Sequence, residues 1–344
     1  MTRRIREIDV LRGFAIVLVI LGHAFIVHPV DIHEVEWCAS LHNWIYSFHM
    51  ESFFLLCGAV YHCKSYIPYL KKKTERILVP YLFFGIISLV LHVVGIDAVN
   101  KSYSLGGGII KLLFYGGSYW FLYALFILFL IYPLVEKVCN KPWKEILFAI
   151  ACAIICEFVD VTHFLNLNRF FYYVPFFVTG RYAMVFIKSE KAKVHWLNVL
   201  LFIVSLGAYV GLGSLFNDVE SVESYFLIFI RAIAMCTSLY VVAHYLLILV
   251  DKGSILLKWT ERLLAKCSTY SLQLYLFNGF LLTAIRYIVC TRMHITSPII
   301  IVTCIVVGNL LITLLICNYV LSHTKVLSWL CGTGKTTNKI VSKQ

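Results

Sequence analysis

Ten apolar runs, most of them about 20 residues long, alternate with short polar stretches along the chain. They fall at 8–28, 45–62, 77–96, 118–136, 145–160, 169–187, 196–216, 225–250, 268–290 and 298–321. Runs of that length and uniformity predict transmembrane helices. The second and fifth are short, which suits less tilt or a partly re-entrant path. The first does not read as a cleavable signal peptide, because Asp9 and Arg12 interrupt it and no small-residue cleavage site follows. The predicted architecture is an all-α polytopic integral membrane protein of about ten transmembrane helices. Residues 1–325 form the membrane domain and 326–344 a basic cytoplasmic tail.

Composition sharpens this picture. Hydrophobic residues make up 60% of the chain and charged residues 14%, against roughly 25% charged in a globular protein. That supply cannot build a water-facing surface, so soluble enzymes, disordered proteins and fibrous repeats are excluded. The formal charge of +12 would suggest nucleic acid in a soluble protein. Here the bases cluster between spans, as in cytoplasmic loops facing anionic lipid, and no nucleic-acid partner is expected.

Orientation follows from the same bases. With the N-terminus inside, one side collects Arg3, Arg4, Arg6, Lys64, Lys71, Lys72, Lys73 and Arg76. Further along it gains Lys137, Lys141, Lys144, Lys188, Lys191, Lys193, Lys252, Lys258, Arg262, Lys266 and the Lys325 to Lys343 tail. The opposite loops hold Asp31, Glu34, Glu36, Asp218, Glu220 and Glu223. Both termini are therefore expected in the cytoplasm. The twelve cysteines form no CxxC pair and no zinc spacing with histidine, so they read as small packing residues and no metal is expected.

Charge inside a span costs free energy and usually marks function. The first span carries Asp9, Arg12 and His23. Eleven residues is about three turns, so Arg12 and His23 point from nearly the same face, about 16 Å apart along the axis. Taken singly, Arg12 also reads as a snorkelling anchor beside Asp9, and His23 as a satisfied core histidine. Together they suit a long ligand with an anionic head at one end and a reactive group at the other.

These residues carry a resemblance. Arg6-Glu7-Ile8-Asp9-Val10-Leu11-Arg12-Gly13, followed by Leu21-Gly22-His23, resembles the opening of the membrane acyltransferase-3 family, whose signature is an arginine, ten residues, then a histidine. Phe48-His49-Met50 with Phe53-Phe54-Leu55-Leu56-Cys57-Gly58 is similar to the family's second-span stretch. Lys73-Thr74-Glu75-Arg76-Ile77-Leu78-Val79-Pro80-Tyr81 resembles its basic cytoplasmic loop. Trp120-Phe121-Leu122, Pro175-Phe176-Phe177-Val178-Thr179-Gly180 and Ser271-Leu272-Gln273-Leu274-Tyr275 match later landmarks in order. Departures are Glu51 in place of a frequent proline, Cys57 for serine, Lys73 for arginine and Asn278 for histidine. They bear on substrate and subgroup more than on reaction type.

The resemblance implies transfer of an acyl group, usually acetyl, from cytoplasmic acyl-CoA to a hydroxyl of a cell-surface or lipid-linked carbohydrate, in the bacterial plasma membrane. Coenzyme A has an arm comparable with the Arg12–His23 separation, about 15–20 Å. Its phosphates would meet Arg12, Arg76 and Lys73. His23 is the expected base, acting directly on the hydroxyl or through an acyl-imidazole.

His49 and Glu51 on the second span are substrate-pocket candidates. Glu51 either orients His23, binds the acceptor, or pairs with Arg231 or Arg181. Ser271, Tyr275 and Asn278 form one polar stripe, read as pocket or as interhelical hydrogen bonds. Trp120, with Tyr119 and Tyr123, reads as a sugar-stacking surface or an interface belt. Glu157, Asp160 and His163, three residues apart, read as a shared helical face near the acceptor or as a solvated helix end. The rival function is a transporter or flippase using the same arginine and histidine; a catalytically silent scaffold is the third reading.

Overall fold

The computed structural model describes residues 5–26, 28–94, 104–216 and 224–333. Arg3, Arg4, Asp218, Glu220, Glu223 and the tail from 334 onward lie outside the described residues. The described chain is helical, with no strand. Its helices are α1 (Arg6–Ala24), α2 (Glu36–Tyr46), α3 (His49–Ala59), α4 (Tyr66–Lys73), α5 (Val79–Val94), α6 (Leu105–Phe114), α7 (Trp120–Cys139) and α8 (Pro142–Phe158). They continue as α9 (Leu167–Ile187), α10 (His195–Phe216), α11 (Tyr225–Asp251), α12 (Ile255–Thr269), α13 (Ser271–Arg286), α14 (Pro298–Leu315) and α15 (Lys325–Leu330).

Seven helical stretches among the described residues are long and apolar enough to cross a membrane, so this is a multi-pass membrane protein. They are Tyr66–Val94, Leu105–Cys139, Phe164–Ile187, His195–Gly213, Tyr225–Asp251, Ser271–Arg292 and Pro298–Leu321. Three of the ten sequence runs fall outside this set for separate reasons. The first, α1, carries Arg6, Glu7, Asp9 and Arg12 within 19 residues. The second breaks between α2 and α3, and α3 has 11 residues, about 16 Å against a hydrocarbon core of about 30 Å. The fifth, α8, has 17 residues.

Helix α1 packs against α2, α3, α11, α12, α13 and α14, so this charged helix lies inside the bundle. At Gly13 the backbones of α1 and α12 touch, since a Cβ there would lie 2.0 Å from the Leu264 carbonyl oxygen. Helix α12 occupies a stretch that the sequence predicts as a basic loop, and it exposes Ile255, Leu256, Trp259 and Leu263 beside Lys258, Arg262 and Lys266. That is the pattern of a helix lying in a membrane interface. Arg6 ties α1 to Asp251 at 2.9 Å and Glu261 at 2.8 Å.

Helices α3 and α9 meet through two glycines. A Cβ on Gly58 would lie 1.9 Å from the Phe177 oxygen, and one on Gly180 would lie 1.9 Å from the Leu55 oxygen. The obstacles are backbone atoms, which cannot swing aside. Gly58→Ala is therefore expected to cost about 1–3 kcal/mol of stability. Gly207→Ala on α10, with nothing within 4 Å, is expected to leave stability unchanged or raise it by up to about 1 kcal/mol. Thermal unfolding of the two variants side by side checks this, and equal melting temperatures would refute the close contact.

Buried charge is concentrated where α7, α8 and α9 meet. Arg181 reaches Glu136 at 2.6 Å and Glu145 at 3.6 Å. Tyr61 donates to Glu136, while Tyr132 and Tyr182 donate to Glu145. Gln273 donates to the Cys331 carbonyl at 2.8 Å, so the chain remains packed on the bundle beyond α15. None of the twelve cysteines is in a disulfide.

Candidate active site

Helix α3 runs antiparallel to α1 and marks both ends of the Arg12–His23 face. At one end Arg12, Lys73 and Arg76 stand close enough for their charges to repel, with the Cys57 side chain beside Arg12 and Lys73. Among the described residues no carboxylate pairs with any of the three. Lys73 lies 3.5 Å over the Phe129 ring and 5.3 Å from that of Tyr69.

A π-helical turn, Thr74–Leu78, sets Arg76 between α4 and α5. Pro80 accounts for it: proline offers no N–H to the Arg76 carbonyl four residues back, and its ring crowds that oxygen. Gly332 backs onto the same carbonyl, where a Cβ would lie 2.7 Å away, and its φ of +69° favours glycine.

At the other end His23 is exposed and its Nδ1 lies 3.4 Å from the Tyr46 hydroxyl. Tyr46 stacks on His42 at 4.0 Å and meets His49 edge-on at 4.7 Å. His49 Nδ1 is 2.9 Å from the Ile45 carbonyl, which can only accept, so this nitrogen carries the proton and Nε2 is left as acceptor. Among the described residues no group of three or more His, Cys, Asp or Glu side chains is arranged to hold a metal.

Glu51 is 6% exposed. One oxygen accepts from Tyr172 at 3.2 Å, and the other has no partner. It makes no hydrogen bond to His23 and no ion pair among the described residues, and Arg181 is committed to Glu136 and Glu145. An orphaned buried carboxylate oxygen calls for a ligand or a proton.

Contacts along α9 place a second feature at the His23 end. Phe54 stacks on Tyr173 at 3.8 Å, and Gly58 meets Phe177, so α9 runs parallel to α3 with Arg169 toward the His49 end. Arg169 lies 3.8 Å over the Trp120 ring. A cavity of about 650 Å³ opens here, walled by Ser88, His92, Lys111, Ser118, His163, Asn166 and Arg169 among others. Arg169 and Asn166 were not singled out from the sequence. The signal was present, since Arg169 stands at the first position of the sixth apolar run, where it passed as a span edge.

Other candidates separate. Tyr275 packs against Tyr119 at 5.9 Å and Phe121 at 5.4 Å, near Arg169. Asn278 accepts from Asn309 of α14 at 2.8 Å, which serves helix packing. Glu157, Asp160 and His163 share no helical face, because α8 ends at Phe158 and Val159 is extended. Glu157 instead accepts from Ser224 at 2.9 Å at the start of α11, and only His163 of the three reaches the cavity.

A second cavity of about 240 Å³ lies between α1, α3, α9 and α11. Among the described residues its wall has no charged side chain, so it suits hydrocarbon and not a coenzyme head.

The family model described as an acyltransferase domain, that of acyltransferase-3, matches residues 5–318. The chain belongs to the acyltransferase-3 family. No curated protein and no solved structure matches it. As an acyltransferase-3 member it is a membrane acyltransferase, and Arg12 and His23 stand at opposite ends of one helical face of its α1.

Proposed function

We propose that this acyltransferase moves an acetyl group from cytoplasmic acetyl-CoA to a hydroxyl of a cell-surface or lipid-linked carbohydrate at the opposite face of the plasma membrane. In this reading the bundle crosses the bilayer ten times, with α1, α3 and α8 completing the set and both termini in the cytoplasm. The observation that carries it is the pairing on α1 of an uncompensated cluster, Arg12 with Lys73 and Arg76, and an accessible His23. They lie about 16 Å apart on a rigid helix.

Three cations without a carboxylate among the described residues call for an anion, and coenzyme phosphates supply several negative charges. The coenzyme arm then reaches along α1 toward His23. There the imidazole takes the proton of the acceptor hydroxyl as its oxygen attacks the thioester carbon. The C–S bond breaks, an ester forms, and the coenzyme leaves as a thiolate that takes up a proton. An acyl-imidazole relay through the same ring gives the same products in two steps.

Sealed vesicles containing the protein, given acetyl-CoA and cell-envelope glycans, are expected to release coenzyme thiol only when acceptor is present. Arg12→Ala is expected to raise the KM for acetyl-CoA about 10–100-fold, the worth of a charge-assisted hydrogen bond. An unchanged KM and turnover would remove Arg12 from the donor site. Gradient-driven flux without thiol release would make the protein a carrier.

A further inference from the structure

We propose that the cavity beside Arg169 binds an anionic group, so that the acceptor is a carbohydrate bearing a carboxylate or a phosphate near the hydroxyl to be acylated. The identification of this ligand as the acceptor rests on the acyl-transfer reading above. Anion binding in the cavity does not.

The wall decides the sign of the ligand. Arg169 and His163 contribute to it, and among the described residues that line it none is an aspartate or glutamate. A neutral sugar presents hydroxyls that must donate as well as accept, and a site built for it needs strong acceptors. The buried unpartnered atoms of this wall are donors instead. Asn166 is 3% exposed and its Nδ2 has no partner. Arg169 Nη1 is likewise buried without a partner.

Both unpartnered groups are nitrogen donors, and an anion is the ligand that satisfies two donors at once. The guanidinium lies 3.8 Å over Trp120, which occupies its face and leaves its in-plane N–H edge for a carboxylate or phosphate. Gly116 leaves room for the amide, since a Cβ there would lie 2.8 Å from Asn166 Nδ2. The nearby Glu157 is committed to the start of α11 and does not enter the wall. The cavity's 650 Å³ falls within the range of about 300–1,000 Å³ usual for ligand pockets.

The test uses the whole protein in lipid nanodiscs with no acyl donor, titrated with trigalacturonate, glucose 1-phosphate and maltotriose by calorimetry. At least one anionic probe is expected to bind about tenfold tighter than maltotriose, the size of one charge-assisted hydrogen bond. Whichever anion wins names the group as carboxylate or phosphate. Arg169→Gln is expected to abolish the preference.

If that variant loses its native melting transition, Asn166→Asp replaces it. Aspartate is isosteric with asparagine and tolerates the φ of +53° found here. Its added carboxylate is expected to abolish the preference too. Maltotriose binding as tightly as both anions would overturn the proposal, as would a preference that survives in a folded variant. Because no donor is present, failure here leaves acyl transfer untouched, and failure of thiol release leaves the anion site untouched.

Discussion

His23→Ala is expected to lower acyl transfer about 10²–10⁴-fold, the usual worth of a positioned general base. The protein should otherwise remain intact. His23 sits in the last turn of α1, is exposed, and makes one long contact, 3.4 Å to the Tyr46 hydroxyl. Removing it leaves no cavity in the core and orphans no buried partner. The loss is therefore chemical, and KM for acetyl-CoA, set at the distant Arg12 cluster, should hardly change. Acceptor-dependent thiol release with a melting curve on the same sample separates the two effects. Equal rates in variant and wild type would remove His23 from the reaction.

Arg181→Ala is expected to be strongly destabilising, at about 3–5 kcal/mol. Its guanidinium lies between Glu136 and Glu145, and the Glu145 side chain is 5% exposed. Without it two carboxylates face the same space, supported only by the hydroxyls of Tyr61, Tyr132 and Tyr182. The cost should fall near the lower figure, because Arg181 and Glu136 keep side-chain exposures of 27% and 29%. Thermal unfolding in detergent reads it directly. A wild-type melting temperature in Arg181→Ala would mean that the network is ornamental.

Long apolar helices such as α11 and α14 are legible because hydrophobicity is a local property that sums over 20 or so residues. Short amphipathic helices are not. Helix α12 averages to neither apolar nor polar, so a search for uniformly apolar runs passes over it although its apolar residues recur at helical spacing. The break at Ser47 that splits the second run, and the end of α8 at Phe158, depend on backbone turns with no strong breaker residue.

At the site, Arg12 and His23 could be paired by counting turns on one helix. Lys73 and Arg76 joined them through resemblance and charge. Tyr172 on Glu51 is a contact across 121 residues, and no local pattern announces it. The same is true of Arg169 over Trp120.

The direct backbone contact between α3 and α9 has a mechanical consequence. With no side-chain layer between Gly58 and Phe177 or between Leu55 and Gly180, the two helices have nothing to shear. His49 and Glu51 ride on α3, and Arg169 and Tyr172 on α9, so the walls of the site form a single strut. A carrier of the rocking type must part its two halves around the substrate in every cycle. Any such motion would have to carry α3 and α9 together, and on the proposed reaction the traveller is a two-carbon fragment moving along a fixed frame.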